Sequence, residues 1–307
     1  MNEKNTTKTY LITGGAGFIG TNLSERLVAD GHKVIVVDNL VGGKKERLPQ
    51  EVEFHELDIC DHEALVEVMK DVDVVVHLAA LPRVQFSIEH PFEAQHANID
   101  GTLSVLEAVR KNGVKRVVYA ASSSAYGDQA VMPLREDMPP QPKSPYGLQK
   151  YYGEVMMKLW HDIHGVETVS LRFFNVYGPH LDPNGAYALV IGKFLKQRSE
   201  GLPMTIAGDG EQTRDFTHVR DIVEGIMRAS TGDTVGKGEV FNLGAGRSIT
   251  INRIAEIIGG PVEHLAPRIE PKHTEADSSK IKATLGWESK ITVEEGIAEL
   301  KKQFNLA

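Results

Sequence analysis

Thr9-Tyr-Leu-Ile-Thr13 runs straight into Gly14-Gly-Ala-Gly17-Phe-Ile-Gly20. The first five residues read as an apolar strand, and Phe18 to Ala29 reads as a helix, so the glycines stand at a strand-to-helix turn. Glycine suits such a turn where the backbone bends sharply, where a pyrophosphate approaches the main chain, and where helix and strand pack closely. The helix N-terminus adds its dipole and free amides. A glycine turn with no ligand is the competing reading, and the next strand argues against it. Lys33 to Val37 ends at Asp38, where an acid accepts hydrogen bonds from the adenosine ribose hydroxyls. A carboxylate there repels the extra phosphate of NADP, and no arginine follows at once, so NAD is the expected cofactor; Lys44 and Lys45 are the counter-signal. Asp58, after a third strand, is a candidate adenine contact or an ordinary helix-start acid.

Outward from the turn, strands and helices alternate. Val52 to Leu57 reads as a strand, His62 to Met69 as a helix, and Val72 to Leu78 as a strand covered on both faces. Glu93 to Asn112 carries Ile99, Leu103, Leu106 and Val109 at helical spacing, and Val117 to Ala121 and Val166 to Phe173 are further strands. The alternation predicts an α/β fold with a doubly wound parallel (Rossmann) sheet. Met132 to Pro145 holds five prolines and reads as a loop. Beyond Gly178 the pattern is mixed, with helices expected near Ala188 to Arg198, Ile251 to Ile257 and Val293 to Phe304. The expected division is an NAD-binding domain over 1–178, rejoined by about 215–245, and a smaller mixed α/β substrate domain within 179–307. Val240 to Leu243 has the composition to return to the main sheet.

Tyr146 and Lys150 lie four residues apart in Ser144-Pro-Tyr-Gly-Leu-Gln-Lys150, one turn apart on one helix face. A tyrosine of pKa near ~10 is a poor base at neutral pH. An adjacent ammonium and a positive nicotinamide ring favour its phenolate. Ser122 to Ser124 end a strand upstream, where one hydroxyl could hold the reacting oxygen. A hydride carrier beside a proton acceptor points to alcohol–ketone chemistry. A chance helical pair and a polar strand end are the bland alternatives.

The whole chain narrows the field. Its 307 residues carry a formal charge of −8, and the pI near 5.9 argues against a nucleic-acid-binding surface. The lone Cys60 excludes an intrachain disulfide and a multi-cysteine metal site. No segment has the length and apolarity of a membrane span and the first residues lack a signal core, so a cytoplasmic protein is expected. His161 and His164, without a third ligand or catalytic glutamate, read as surface residues, and no metal is expected. A serine hydrolase lacks its nucleophile elbow. Tyr152, Met156 and Trp160 follow at four-residue spacing as core or subunit contact.

These elements resemble the extended short-chain dehydrogenase/reductase family over essentially the whole chain. The resemblance is carried by Thr13 to Gly20, Val37-Asp38, His77-Leu-Ala-Ala80, Ser122-Ser-Ser-Ala-Tyr-Gly127, Tyr146-Gly-Leu-Gln-Lys150, Arg172-Phe-Phe-Asn-Val-Tyr-Gly178 and Arg214-Asp-Phe-Thr-His-Val219. Ala120 to Gly127 and Asp182-Pro-Asn-Gly-Ala-Tyr-Ala188 are similar to the 4-epimerases of UDP-glucose and UDP-N-acetylglucosamine. Dehydratases of the family carry an acid pair after the strand-end threonine and decarboxylases a glutamate; Ser123 and Ser124 stand here instead. The resemblance implies oxidation of a UDP-sugar at C4 and return of hydride to the opposite face. It assigns Ser122, Tyr146 and Lys150 to catalysis. It assigns Gly14, Gly17, Phe18, Ile19, Gly20, Asp38, Asn39, Asp58, Ile59, Leu78, Ala79, Ala80, Asn98, Tyr146 and Lys150 to NAD. Ser122, Ser123, Ser124, Tyr146, Asn175, Arg214, Arg268 and Thr274 fall to the substrate, with Arg214 and Arg268 as phosphate clamps. Pro82 replaces a lysine found in some UDP-galactose 4-epimerases. Thr274 is small where glucose-restricted relatives have a large aromatic, which implies room for an N-acetyl group. A homodimer through the helices holding Tyr146 and Glu93 to Asn112 is implied as well. The alternatives are a uronate-type epimerase or decarboxylase, a 4,6-dehydratase, and a non-catalytic NAD-sensing regulator.

Overall fold

Apolar, β-branched runs pair side by side because burial on both faces leaves their backbone groups only each other. The computed structural model of the chain describes residues 7–82, 84–182, 190–267 and 272–306. Its first strands are β1 (Thr9–Thr13), β2 (Lys33–Asp38), β3 (Glu53–Glu56), β4 (Val74–His77), β5 (Arg116–Ser122) and β6 (Glu167–Phe173). After the short strands β7 (Val176–Tyr177), β8 (Met204–Ala207), β9 (Thr213–Asp215) and β10 (Thr217–His218) comes β11 (Lys237–Leu243). Among the described residues, seven of these form one sheet in the order β11-β6-β5-β4-β1-β2-β3. Every pairing in it is parallel. The strand order reverses between β1 and β4, the place where a doubly wound sheet opens a crevice at its carboxyl edge.

Helices cover both faces. On one lie α2 (His62–Val68), α5 (Gly101–Asn112) and α6 (Pro145–His164), closing over Leu11, Ile35, Val75, Val117 and Tyr119. Two short helices, α3 (Val84–Glu89) and α4 (Pro91–Gln95), precede α5, and a π-helical turn, His96–Asp100, joins α4 to it. On the other face α1 (Phe18–Ala29) lies beside α8 (Val219–Thr231) over Ile12, Val36, Val76 and Val118. Arg116 closes the amino edge: its buried guanidinium pairs with Glu167 and donates to the carbonyls of Ala229, Gly232 and Val235.

The strands and helices expected before Gly178 are present with small shifts at their ends, and Val240–Leu243 lies in the main sheet beside β6. The second half holds more regular structure than the sequence reading assigns. That reading has no helix at α8, although Val219, Ile222, Val223, Ile226 and Ala229 recur at helical spacing and are buried. Each of the four valines and isoleucines contributes roughly 1.5–3 kcal/mol on burial, so tertiary packing supplies what the Gly- and Pro-rich context hides. Helix α10 (Ser279–Leu285) and the short strands are likewise unforeseen. The helix expected from Ala188 appears as α7 (Val190–Ser199), its expected start lying outside the described residues. It packs with α9 (Ile251–Ile258) and α11 (Val293–Gln303) around Phe194, Leu195, Ile254 and Leu300. Three small two-stranded sheets edge this region: β7 with β10, β9 with β12 (Ser248–Thr250), and β8 with β13 (Val262–Leu265).

Candidate active site

The glycine turn lies at the crevice. Gly14 has φ +68°, and a Cβ there would come within 2.7 Å of the Ala79 main chain. A Cβ on Gly20 would meet Gly15 Cα at 2.5 Å, so α1 can start only this close to the turn without one. Gly17 caps α1 without a side chain, and no acid occupies the first turn. The amides of Phe18, Ile19 and Gly20 therefore open onto the crevice with a positive helix end, a fit for a pyrophosphate. Asp38, 7 % exposed at the end of β2, accepts Ala16 N–H at 3.0 Å and Leu40 N–H at 2.8 Å. Burial pushes its pKa up against those two bonds. A carboxylate offers about four acceptor positions, so two remain for ribose hydroxyls. Asn39 donates to Asp58 at 2.8 Å, and Ile59 is buried just beyond.

Leu78, Ala79 and Ala80 follow β4 beside the turn, with Ala79 N–H donating to Thr13 Oγ1 at 3.3 Å. Behind them His77 is fully enclosed, with Nδ1 2.7 Å from Thr13 Oγ1 and Nε2 3.0 Å from Thr102 Oγ1. Thr102 donates onward to Asn98 O, which makes Nε2 the protonated ring nitrogen. Burial lowers His77 to about 3, so it is a neutral strut joining β1, β4 and α5. Asn98 sits in the π-helical turn as a brace: its side chain holds both backbone groups of Leu81 and donates to Gln149 at 2.7 Å. Its polar atoms are thus occupied within the protein. Pro82, next to Leu81, is exposed.

The residues expected to react come from β5 and α6. Ser122 ends β5 at 8 % exposure, its Oγ accepting Ser124 N–H at 3.1 Å. Ser144 caps α6 by accepting Gly147 N–H, Pro145 fills the first helical position, and Gly165 at φ 70° ends the helix. A Cβ on Gly147 would lie 2.6 Å from Ser124 O, so the turn bearing Tyr146 rests on the serine turn. Tyr146 N–H donates to Ser87 Oγ at 3.1 Å. Lys150 is buried, donates from Nζ to Ala120 O at 2.8 Å, and lies 4.8 Å from the Tyr119 ring centre. Burial pulls Lys150 down to about 7, with the field of Glu154 opposing. Glu154, one turn further along α6, makes two bonds of 2.8 and 2.7 Å with Arg172 of β6. Arg172 in turn lies over the Tyr126 ring. The sequence reading does not include this buried pair; the (i, i+4) spacing from Lys150 places Glu154 on the same helix face but does not announce Arg172.

Asn175, Arg214 and Thr274 form a second group, linked through Thr213 and Asp215. Asn175 follows β6 with φ 29° and donates to Asp215 O at 2.9 Å. Arg214 on β9 donates to Thr213 O at 2.8 Å. Thr274 N–H donates to the same Thr213 carbonyl at 3.2 Å, and its Oγ1 is buried with no hydrogen-bond partner among the described residues. Arg268, like most of the Asp182 to Ala188 stretch, lies outside the described residues. His161 bonds to Val166 O and His164 stacks edge-on against Trp160. Among the described residues no group of three or more His, Cys, Asp or Glu is placed to hold a metal ion.

A profile of the NAD dependent epimerase/dehydratase family matches residues 10–244. A putative UDP-glucose 4-epimerase of Methanocaldococcus jannaschii is 37 % identical over 295 residues, covering 94 % of this chain and 95 % of its own. The UDP-N-acetylglucosamine 4-epimerase of Methanobrevibacter ruminantium, solved with UDP-N-acetylmuramic acid, superposes with a TM-score of 0.90 at 35 % identity, covering 97 % and 99 % of the two chains. The Thermus thermophilus UDP-glucose 4-epimerase, solved with NAD, gives 0.89 at 33 %, covering 97 % and 99 %. The chain belongs to the NAD dependent epimerase/dehydratase family, and its activity is of the UDP-sugar 4-epimerase type.

Proposed function

We propose that the protein interconverts UDP-N-acetylglucosamine, and UDP-glucose, with their C4 epimers, with NAD held through each cycle. The observation that carries this reading is the set Ser122, Tyr146 and Lys150 beside the glycine turn, with serines where an eliminating enzyme needs acids. The amides of Phe18 to Gly20 would hold the pyrophosphate of NAD and Asp38 its adenosine ribose. When bound, NAD supplies a hydride acceptor and donor at C4. Tyr146 takes the C4 hydroxyl proton and later returns it, while Ser122 orients that oxygen. Lys150, poised near neutrality, stabilises the phenolate in its charged form and relays a proton in its neutral form. Asn175 and Arg214 hold the diphosphate, so the 4-keto sugar can turn over without leaving. Thr274 leaves space for the acetamido group.

The protein pairs as a homodimer, each copy carrying its own complete site. Leu148, Tyr152, Val155, Leu159 and Ile163 form an exposed apolar stripe along α6, with Leu103 exposed on α5, while Met156 and Trp160 turn into the core. A second copy would cover that stripe. Cytoplasmic residence accords with the single reduced cysteine, and among the described residues no helix is long and apolar enough to cross a membrane. Denaturing the purified protein should release NAD. Proton NMR on UDP-glucose, UDP-N-acetylglucosamine and UDP-glucuronate should show C4 inversion of the first two, without loss of water or carbon dioxide. Bound NADP alone, or elimination products, would refute the reading.

A further inference from the structure

Asp215 follows Arg214 on β9 and is fully enclosed. Its carboxylate accepts three backbone N–H groups, from Ala245 on one oxygen and from Gly246 and Ala276 on the other, each at 2.9 Å. Its main-chain carbonyl accepts the Asn175 side chain at 2.9 Å. Ala245 and Gly246 belong to the loop leaving β11, and Ala276 to the strap carrying Thr274, which runs beside Thr213. Three separate segments thus converge on this one residue of β9.

We propose that Asp215 is the positioning residue of the UDP-sugar site, fixing Asn175, Arg214 and Thr274 relative to one another without itself touching the substrate. The proposal rests on the function proposed above. An amide in place of the carboxylate would turn an NH2 group toward at least one of the three N–H donors, releasing the loop or the strap. Protonation acts in the same direction. Burial raises Asp215 to about 6, opposed by the three backbone bonds and aided by Glu275. The other ionisable groups on the surrounding elements include Arg214 itself, Arg247 after the tied loop, Lys272, His273 and Asp277 on the strap, Arg135 and Glu136 on the segment bridged to it, and Arg172 and Tyr177 flanking Asn175.

The test uses the NAD-loaded protein with UDP-glucose and UDP-N-acetylglucosamine, whose diphosphates are esterified at both ends and do not titrate near pH 6. In Asp215→Asn, KM and the calorimetric Kd should rise about tenfold or more, while kcat falls only about threefold or less. The wild-type Kd should weaken as pH falls through about 6, a dependence that the variant loses. A wild-type Kd that stays flat down to the acid limit of the folded state overturns the proposal and requires no variant to fold. So does a variant with lowered Tm but wild-type KM, which would make Asp215 a fold residue alone. Failure of the wild type to bind either sugar nucleotide would defeat the proposed function itself.

Discussion

Ser122, Tyr146 and Lys150, one wall of the proposed site, and Asn175, Arg214 and Thr274, its proposed other wall, are held by different means. The first set is rigid through regular structure. Ser122 ends a strand paired on both sides, and Tyr146 and Lys150 share one capped helix resting on that strand's turn. The second set comes from segments far apart in the chain, joined by the backbone of Thr213 and the carboxylate and carbonyl of Asp215. The proposed proton chemistry falls on the sheet and helix. In the proposed cycle, a sugar released from one orientation and accepted in another would face the wall that a few hydrogen bonds assemble.

The largest expected effect falls on the rigid wall. Tyr146→Phe removes the proton acceptor and should lower kcat by roughly 10²–10⁴-fold, with sugar-nucleotide affinity and NAD content retained. Near-native turnover would place the proton transfer elsewhere and erase the contrast between the walls.

Lys150→Met comes next, and it separates activity from stability. Turnover should fall by about 10²-fold or more. The folded pKa of Lys150, about 7, lies below its unfolded value of 10.5. Between those values the unfolded state binds more protons, so Lys150 makes stability rise with pH there, and its burden on folding is full below about 7. Without the buried amine, the NAD-free variant should melt no lower than wild type at pH 7, with the advantage shrinking toward pH 10. A marked loss of Tm at pH 7 would show that the bond to Ala120 O outweighs desolvation.

A smaller, selective effect belongs to the assembled wall. Thr274→Tyr should reduce kcat/KM for UDP-N-acetylglucosamine relative to UDP-glucose by about 10–100-fold, since overfilling a packed site costs ~1–3 kcal/mol. An unchanged ratio removes Thr274 from the sugar pocket. The smallest effect on catalysis is expected outside both walls. Leu159→Asp should yield monomers in sedimentation while kcat changes by about twofold or less, because the stripe lies on the far side of α6 from Lys150. A dimer that survives this change would move the interface off α6.

Much of the first wall was legible because its signals are contiguous. The glycine turn, Asp38 at the next strand end, and Tyr146 with Lys150 one turn apart each declare their geometry within a few residues. Asn98 shows the limit of that reading. Its position beside the cofactor loop is consistent with the motif, but its bonds to Leu81 and Gln149 are tertiary facts. The Glu154–Arg172 pair was half visible, since the helix predicts where Glu154 points and only the neighbouring strand supplies Arg172.

The sequence by itself determined the doubly wound sheet, the glycine turn and the placing of Tyr146 and Lys150 one turn apart on a helix, because strand and helix periodicity and short-range spacing act over a few residues. Tertiary structure alone decided that α8 would form against α1, that His77 would be a neutral strut, and that Asp215 would gather the segments around Arg214 and Thr274. Burial and the demand that every buried N–H find an acceptor depend on which distant segments meet, and no local pattern encodes that meeting.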